Sequence, residues 1–269
     1  MISFPNAKIN LGLHIINKRE DGYHNLETCF YPVPWFDVLE ILPAAKSDFF
    51  MSGIPIAGNP ENNLCLKAYQ LLKQDYKLPE IQMHLHKNIP MGAGLGGGSS
   101  DAAFTLTTLN KLFELNLTSH ELTGNAAKLG SDCAFFVEHK PTVATGRGEL
   151  LETIDLNLSG TYCVIIYPGI NVPTQEAYSL IKPKAPSGSL KEVLKKERKE
   201  WKNQLVNDFE EPILQKYPEI KEVRELLYQK GSYYACMSGS GSSVFGLFPT
   251  EIDLKAFFPA AYIIWQGYL

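Results

Sequence analysis

Apolar and polar positions alternate from the start of the chain. In "AKINLGLHII", Ile9, Leu11, Leu13 and Ile15 fall on one face and Lys8, Asn10, Gly12 and His14 on the other, the period of a strand. "REDGYHNL" carries the Asp21-Gly22 pair of a tight turn, so a hairpin is predicted, and "FDVLEILP" resumes the strand pattern. The period then changes: residues 62–75 put Leu64, Ala68, Leu71 and Leu72 on one helical stripe behind an Asn cap. "EIQMHLHKNIP" returns to alternation, with Ile81, Met83 and Leu85 pointing one way. A helix capped by Ser100 or Asp101 is predicted to run through about Phe113, and "TSHELTGNAAKLGSD" reads as a second capped helix ended by Gly130.

Further along, "YCVIIY" reads as a buried strand and "KPKAPSGSLK" as a loop. "LKEVLKKERKEWKNQL" is predicted as one helix, its stripe running through Leu190, Leu194, Trp201 and Leu205. "IKEVRELLYQKG" is a helix stopping at Gly231, "SYYACMSGSGSSVFGLF" a strand, and closing segments lie near Phe257 and Ile263. Helices and strands are interleaved without regular βαβ alternation, which predicts an α+β fold rather than a doubly wound parallel sheet. The expected domain boundary lies near residue 155, giving domains 1–155 and 156–269, with no internal repeat.

Composition narrows the function classes. At 269 residues, 45% hydrophobic and 20% charged, the chain has apolar material for sizeable cores and is not of a disordered type. A net charge of −4 gives no general attraction to nucleic acid or to an anionic membrane. The basic run near residue 195 is interspersed with Glu192, Glu197 and Glu200, as a solvated helix face would be. Five scattered cysteines with no CxxC pair argue against a disulfide framework or a cysteine zinc site. His84 and His86 share a strand face but lack a third ligand at a suggestive spacing. Asn6, Lys8 and Asn10 break up the amino-terminal segment, so neither signal peptide nor membrane anchor is read there. A soluble, cytoplasmic protein with no nucleic-acid or membrane partner is expected.

The chemistry concentrates in "PMGAGLGGGSSDAA", where five glycines and two serines precede a helix. Glycines let backbone approach a phosphate closely, and a helix N-terminus supplies N–H groups and a favourable potential. Gly92, Gly94 and Gly97 happen to satisfy GxGxxG, yet a second helix follows where a dinucleotide fold needs a strand. No Gly-Lys-Ser/Thr closes the run, which excludes a Walker loop, and the downstream partners of a protein-kinase glycine loop are absent.

With "FPNAKINLGLHI" before it and "MSGSGSSVFGLF" after it, the loop resembles the three ordered motifs of the GHMP kinases, small-molecule kinases. "KREDGYHNLETCF", "KLGSDCAFFV", "ATGRGE" and "VNDFEEPI" with "YPEI" are similar to the branch acting on a cytidine-diphosphate-linked methylerythritol in the non-mevalonate route to isoprenoids. The resemblance implies a two-domain GHMP kinase fold, an N-terminal ribosomal-protein-S5-domain-2-like domain and a C-terminal ferredoxin-like α/β domain. It implies ATP and Mg²⁺ as cofactors, with ATP held by Asn63, Pro90, Met91, Gly92, Ala93, Gly94, Leu95, Gly96, Gly97, Gly98, Ser99 and Ser100.

The resemblance also places Lys8 and Asp132 at the reacting hydroxyl, and Asn10, Tyr23, His24, Thr174, Tyr178, Gly239 and Ser240 at the small-molecule substrate. An aspartate can accept the hydroxyl proton while a lysine offsets charge on the transferring group. Taken singly, Lys8 also reads as a solvated strand residue, Asp132 and Asn63 as helix caps, and Tyr23–His24 as exposed hairpin aromatics. The metal ligands are not specified, although a hydroxyl of Ser99 or Ser100 suits Mg²⁺; a monomer or homodimer is expected. Asp101 stands where some members have Asn, and Phe209 where Leu is common, and neither is expected to touch the chemistry. Another GHMP substrate, or a non-catalytic metabolite-binding role, are the rival readings.

Overall fold

A computed structural model describes residues 1–56, 60–186 and 188–269. In chain order the elements are β1 (Ile2–Ser3), β2 (Asn6–Lys18), β3 (His24–Phe36), β4 (Val38–Pro43), β5 (Asp48–Gly53), α1 (Leu64–Asp75), β6 (Ile81–Lys87), α2 (Gly97–Leu112), α3 (Ser119–Leu129) and a short α4 (Phe135–Glu138). They continue with β7 (Thr142–Thr145), β8 (Leu150–Thr153), β9 (Tyr162–Tyr167), α5 (Thr174–Leu180), α6 (Leu190–Leu194), α7 (Glu210–Lys216), α8 (Pro218–Gln229), β10 (Tyr234–Met237), β11 (Val244–Phe248) and β12 (Ile263–Tyr268). Contacts gather the chain into two compact units, each drawn from several segments of the sequence. The first comprises Met1–Ala7, Trp35–Met91 and Gly96–Lys140; the second comprises Lys8–Pro34, Gly92–Leu95 and Pro141–Leu269. One reason is the register of β3, whose Thr28, Cys29 and Phe30 pair with Ala144, Val143 and Thr142 of β7, far ahead in the chain.

In the first unit, four strands in the order β1-β4-β6-β5 form a sheet. The alternation of β6 is realised residue by residue: Ile81, Met83 and Leu85 are buried, and Gln82, His84 and His86 are exposed. The inner face joins Leu39 and Ile41 of β4 in one core with Ala68 and Leu72 of α1 and Leu106 and Leu109 of α2. β5 runs parallel to β6, which requires the crossover that α1 provides. Asn63 caps α1 by accepting the Cys65 N–H at 2.9 Å, and Thr118 with Glu121 forms a capping box on α3.

The second unit contains an antiparallel sheet ordered β10-β11-β9-β12. Counted from β9, that is second, third, first, fourth, the strand order of the ferredoxin-like arrangement. Val223 and Leu227 of α8 share a core with Val164 and Ile166 of β9 and with Val244 of β11. Two sequence expectations are corrected here. "SYYACMSGSGSSVFGLF" is a hairpin of two strands, because the chain turns at residues 238–243 with Gly239 at φ +61°. The predicted single helix from residue 190 is α6 and a separate 3₁₀ turn, Arg198–Asn203; Leu190, Leu194, Trp201 and Leu205 are buried, but the charged run between them offers no apolar side chain to hold a helix to the core.

Among the described residues no helix is long and apolar enough to cross a membrane. All five cysteines are buried and none is disulfide-bonded. Burial pushes the Cys29 thiol up to about 12 and the Cys133 thiol up to about 11.

Candidate active site

The glycine run contributes to both units. Within the first, Gly96 is the residue before α2, left-handed at φ +71° and giving no side-chain cap. The expected cap at Ser100 or Asp101 is therefore corrected: both lie inside the helix, which Gly97 and Gly98 open. With no capping side chain, the leading N–H groups of α2 are left to a ligand or solvent. Gly97 is packed too tightly for a larger residue, since an added Cβ would stand 3.0 Å from Ile89 and 3.3 Å from the Lys87 ammonium. Ser100 is fully buried and its hydroxyl has no hydrogen-bond partner. An uncapped helix start beside an unsatisfied hydroxyl suits a phosphate. Pro90 is buried and Met91 is 41% exposed.

Asp132 belongs to the turn between α3 and α4. Its neighbour Cys133 is buried, donates its N–H to the Gly130 carbonyl at 3.1 Å, and has its thiol facing the Ser99 side chain, which offsets part of the effect of burial on it. The Asp132 segment is thus anchored to the first turn of α2.

In the second unit, Lys8 is a buried strand residue, 3% exposed, which removes the solvated reading. Its ammonium donates to Asn10 Oδ1 at 2.6 Å and to the Gly94 carbonyl at 2.9 Å, and it stands over the Phe30 ring. Asn10 is oriented by donating to Thr28 Oγ1, which in turn donates to the Gly12 carbonyl. Ser238 donates to the Gly94 carbonyl at 2.8 Å. Backbone meets backbone here: a Cβ on Gly94 would lie 1.8 Å from the Ser238 carbonyl oxygen, and one on Gly241 would lie 2.3 Å from Ala93. Gly239 sits against Asn10, and its carbonyl accepts from Asn207, while Ser240 is half-buried in the same turn.

An aromatic wall stands elsewhere in this unit. The His24 and Tyr178 rings stack with centroids 5.0 Å apart and an interplanar angle of 25°, and Phe209 meets Tyr178 edge-on. Burial, then the nearby Lys18 charge, lowers the His24 pKa, so its imidazole is neutral at neutral pH. Tyr23 is 58% exposed with the Arg147 guanidinium over its ring. Thr174 is exposed at the start of α5, one turn before Tyr178 on the same helix face.

Similarity to known proteins extends over nearly the whole chain. Sequence models for the GHMP kinases N terminal domain and for GHMP kinases C terminal match residues 63–140 and 181–262. A 4-diphosphocytidyl-2-C-methyl-D-erythritol kinase of Bacteroides fragilis is 53% identical over 267 residues, 97% of each chain. One of Cytophaga hutchinsonii is 52% identical over 252 residues, 93% of each chain. The chain belongs to the GHMP kinases. A crystal structure of 4-(cytidine 5'-diphospho)-2C-methyl-D-erythritol kinase superposes on this GHMP kinase with a TM-score of 0.79 at 34% identity, over 92% of this chain and 90% of that one.

Several residues around the site of this GHMP kinase escaped sequence reasoning. The Phe209 ring supports Tyr178 edge-on. Asp101 is buried against the Lys87 ammonium. The alternation of Ile81, Met83 and Leu85, continued by one step, already turns Lys87 inward. Ser238 and Asn207 carried no such signal, because their partners are backbone carbonyls distant in sequence.

Proposed function

We propose that this GHMP kinase transfers the terminal phosphoryl group of ATP to the 2-hydroxyl of 4-diphosphocytidyl-2-C-methyl-D-erythritol, giving the 2-phosphate and ADP, a step of isoprenoid precursor formation by the non-mevalonate route. The observation that carries it is identity above 50% along nearly the whole chain with kinases of that name. In this reading Pro90 to Ser100 cradle the ATP phosphates, Asn63 lies near the adenine, and a hydroxyl of Ser99 or Ser100 would help hold Mg²⁺, which would offset phosphate charge. Such a metal needs few protein ligands, and among the described residues no three His, Cys, Asp or Glu are grouped to hold one.

Phosphoryl transfer depends on positioning and charge stabilisation, with little covalent work for the protein. Asp132 takes the proton of the acceptor hydroxyl, and Lys8, fixed by Asn10 and Gly94, supplies positive charge to the transferring group. Asn10 also hydrogen-bonds the acceptor end. Tyr23, His24 and Tyr178 hold the cytosine by stacking and by the imidazole, with Thr174 as a polar contact, while Gly239 and Ser240 keep the substrate channel narrow. The enzyme works in the cytoplasm as a monomer or homodimer.

ADP release with MgATP tests this, with 4-diphosphocytidyl-2-C-methyl-D-erythritol, mevalonate, homoserine and galactose as acceptors. Turnover of the cytidyl compound alone is expected; turnover of another acceptor overturns the substrate assignment. Tyr178→Ala is expected to raise KM for the cytidyl substrate by about tenfold, the worth of one base stack, with KM for ATP unchanged. Equal effects on both substrates would remove Tyr178 from the base pocket.

A further inference from the structure

Beneath the first turn of α2 lies an ion cluster that none of the roles above uses. The Lys87 side chain is completely buried, and its ammonium touches two carboxyls, Asp37 Oδ2 and Asp101 Oδ2, the latter at 2.7 Å. Asp37 Oδ1 accepts the N–H groups of Asn88 at 2.6 Å and Ile89 at 2.9 Å, the two residues that lead from β6 to Pro90. Asp101 is the fifth residue of α2 and is 2% exposed; its Oδ1 has no hydrogen-bond partner. The cluster therefore grips the strand that enters the glycine run and the helix that leaves it. A buried ion cluster of this kind is costly to desolvate and is a poor source of stability, so its value lies in fixing geometry.

We propose that Lys87, Asp37 and Asp101 are positioning residues of the phosphate cradle, one ammonium between two carboxyls setting the spacing between the end of β6 and the first turn of α2. The proposal rests on reading that turn as the ATP site. Lys87 stays charged, because its two carboxyl neighbours outweigh its own burial. Removing the ammonium leaves the two carboxyls facing each other without the group that joins them, so the end of β6 and the first turn of α2 lose their shared anchor.

The test is equilibrium binding of MgATP to the full chain by calorimetry, beside steady-state turnover with the cytidyl acceptor. Asp37→Asn, which keeps the shape but weakens the contact with the Lys87 ammonium, is expected to raise the Kd for MgATP several-fold. Lys87→Met is expected to raise Kd and KM for ATP by about tenfold or more with KM for the acceptor unchanged, and Lys87→Arg to restore part of the loss. Lys87→Met that melts earlier yet binds MgATP normally overturns the proposal, and so does a rise in KM that is equal for ATP and for the acceptor. If Lys87→Met does not fold, Asp37→Asn decides, and a wild-type Kd for MgATP in that variant overturns the proposal. Wild-type protein that binds MgATP but phosphorylates no acceptor would sink the functional reading and leave the positioning role standing; failure to bind MgATP at all would sink both.

Discussion

Asp132→Asn is expected to lower kcat by about 10²–10⁴-fold, the usual contribution of a positioned general base. KM for ATP and the melting temperature should change little. The substitution keeps the size of the side chain, and the turn that carries it is fixed by its neighbour, Cys133, through the Gly130 carbonyl and the Ser99 contact. Single-turnover measurement of ADP formation with saturating cytidyl acceptor separates the chemical step from product release. A variant with wild-type single-turnover rates would remove Asp132 from the proton transfer. One that loses ATP binding instead would assign it to the cradle.

Gly94→Ala is the second large effect. Gly94 is left-handed, at φ +83°, and the new methyl group would stand 1.8 Å from the Ser238 carbonyl oxygen, so the backbone itself must move. Strain and overpacking together predict a loss of about 3 kcal/mol or more of unfolding free energy. The Gly94 carbonyl is also the acceptor of Lys8 and of Ser238, so displacing it frees the lysine ammonium from one of its supports. Chemistry is therefore expected to suffer beyond the loss of stability, with kcat reduced even in the folded fraction. Gly22→Ala is the comparison: its φ is also positive, at +84°, but no atom lies within 4 Å of the added Cβ. Urea midpoints and kcat on the two variants distinguish collision from backbone conformation alone; equal losses would refute the collision argument.

The contrast between these glycines shows what was legible in the sequence. A positive φ at Gly22 follows from the Asp-Gly turn signal, which is local. The demand at Gly94 arises from Ser238, 144 residues away, and no local pattern announces it. Alternation located β2, β4 and β6, and caps located α1 and α3, because each rests on interactions within a few residues. The start of α2 was misplaced for a related reason: Ser and Asp are good caps in general, but here both are needed inside the helix, and glycine opens it. The third motif reads as one strand until the turn at Gly239 divides it. Resemblance found the family, whereas the buried contacts of Lys87, Asn207 and Phe209 required three-dimensional pairing.

The interleaving of the two units has a bearing on how the chain is made. Lys8–Pro34 leaves the ribosome early, yet most of the unit it completes, Pro141–Leu269, follows more than a hundred residues later. At ordinary elongation rates of about 5–20 residues per second, the early hairpin waits several seconds with its apolar face unpaired. Loop closure over such a span raises contact order and slows assembly. Any single cut of the chain between Pro34 and Pro141 separates two parts of one unit. Co-translational folding of this kinase is therefore a matter of holding an early segment in reserve, and fragments divided at one point are expected to regain a native second unit only when supplied together.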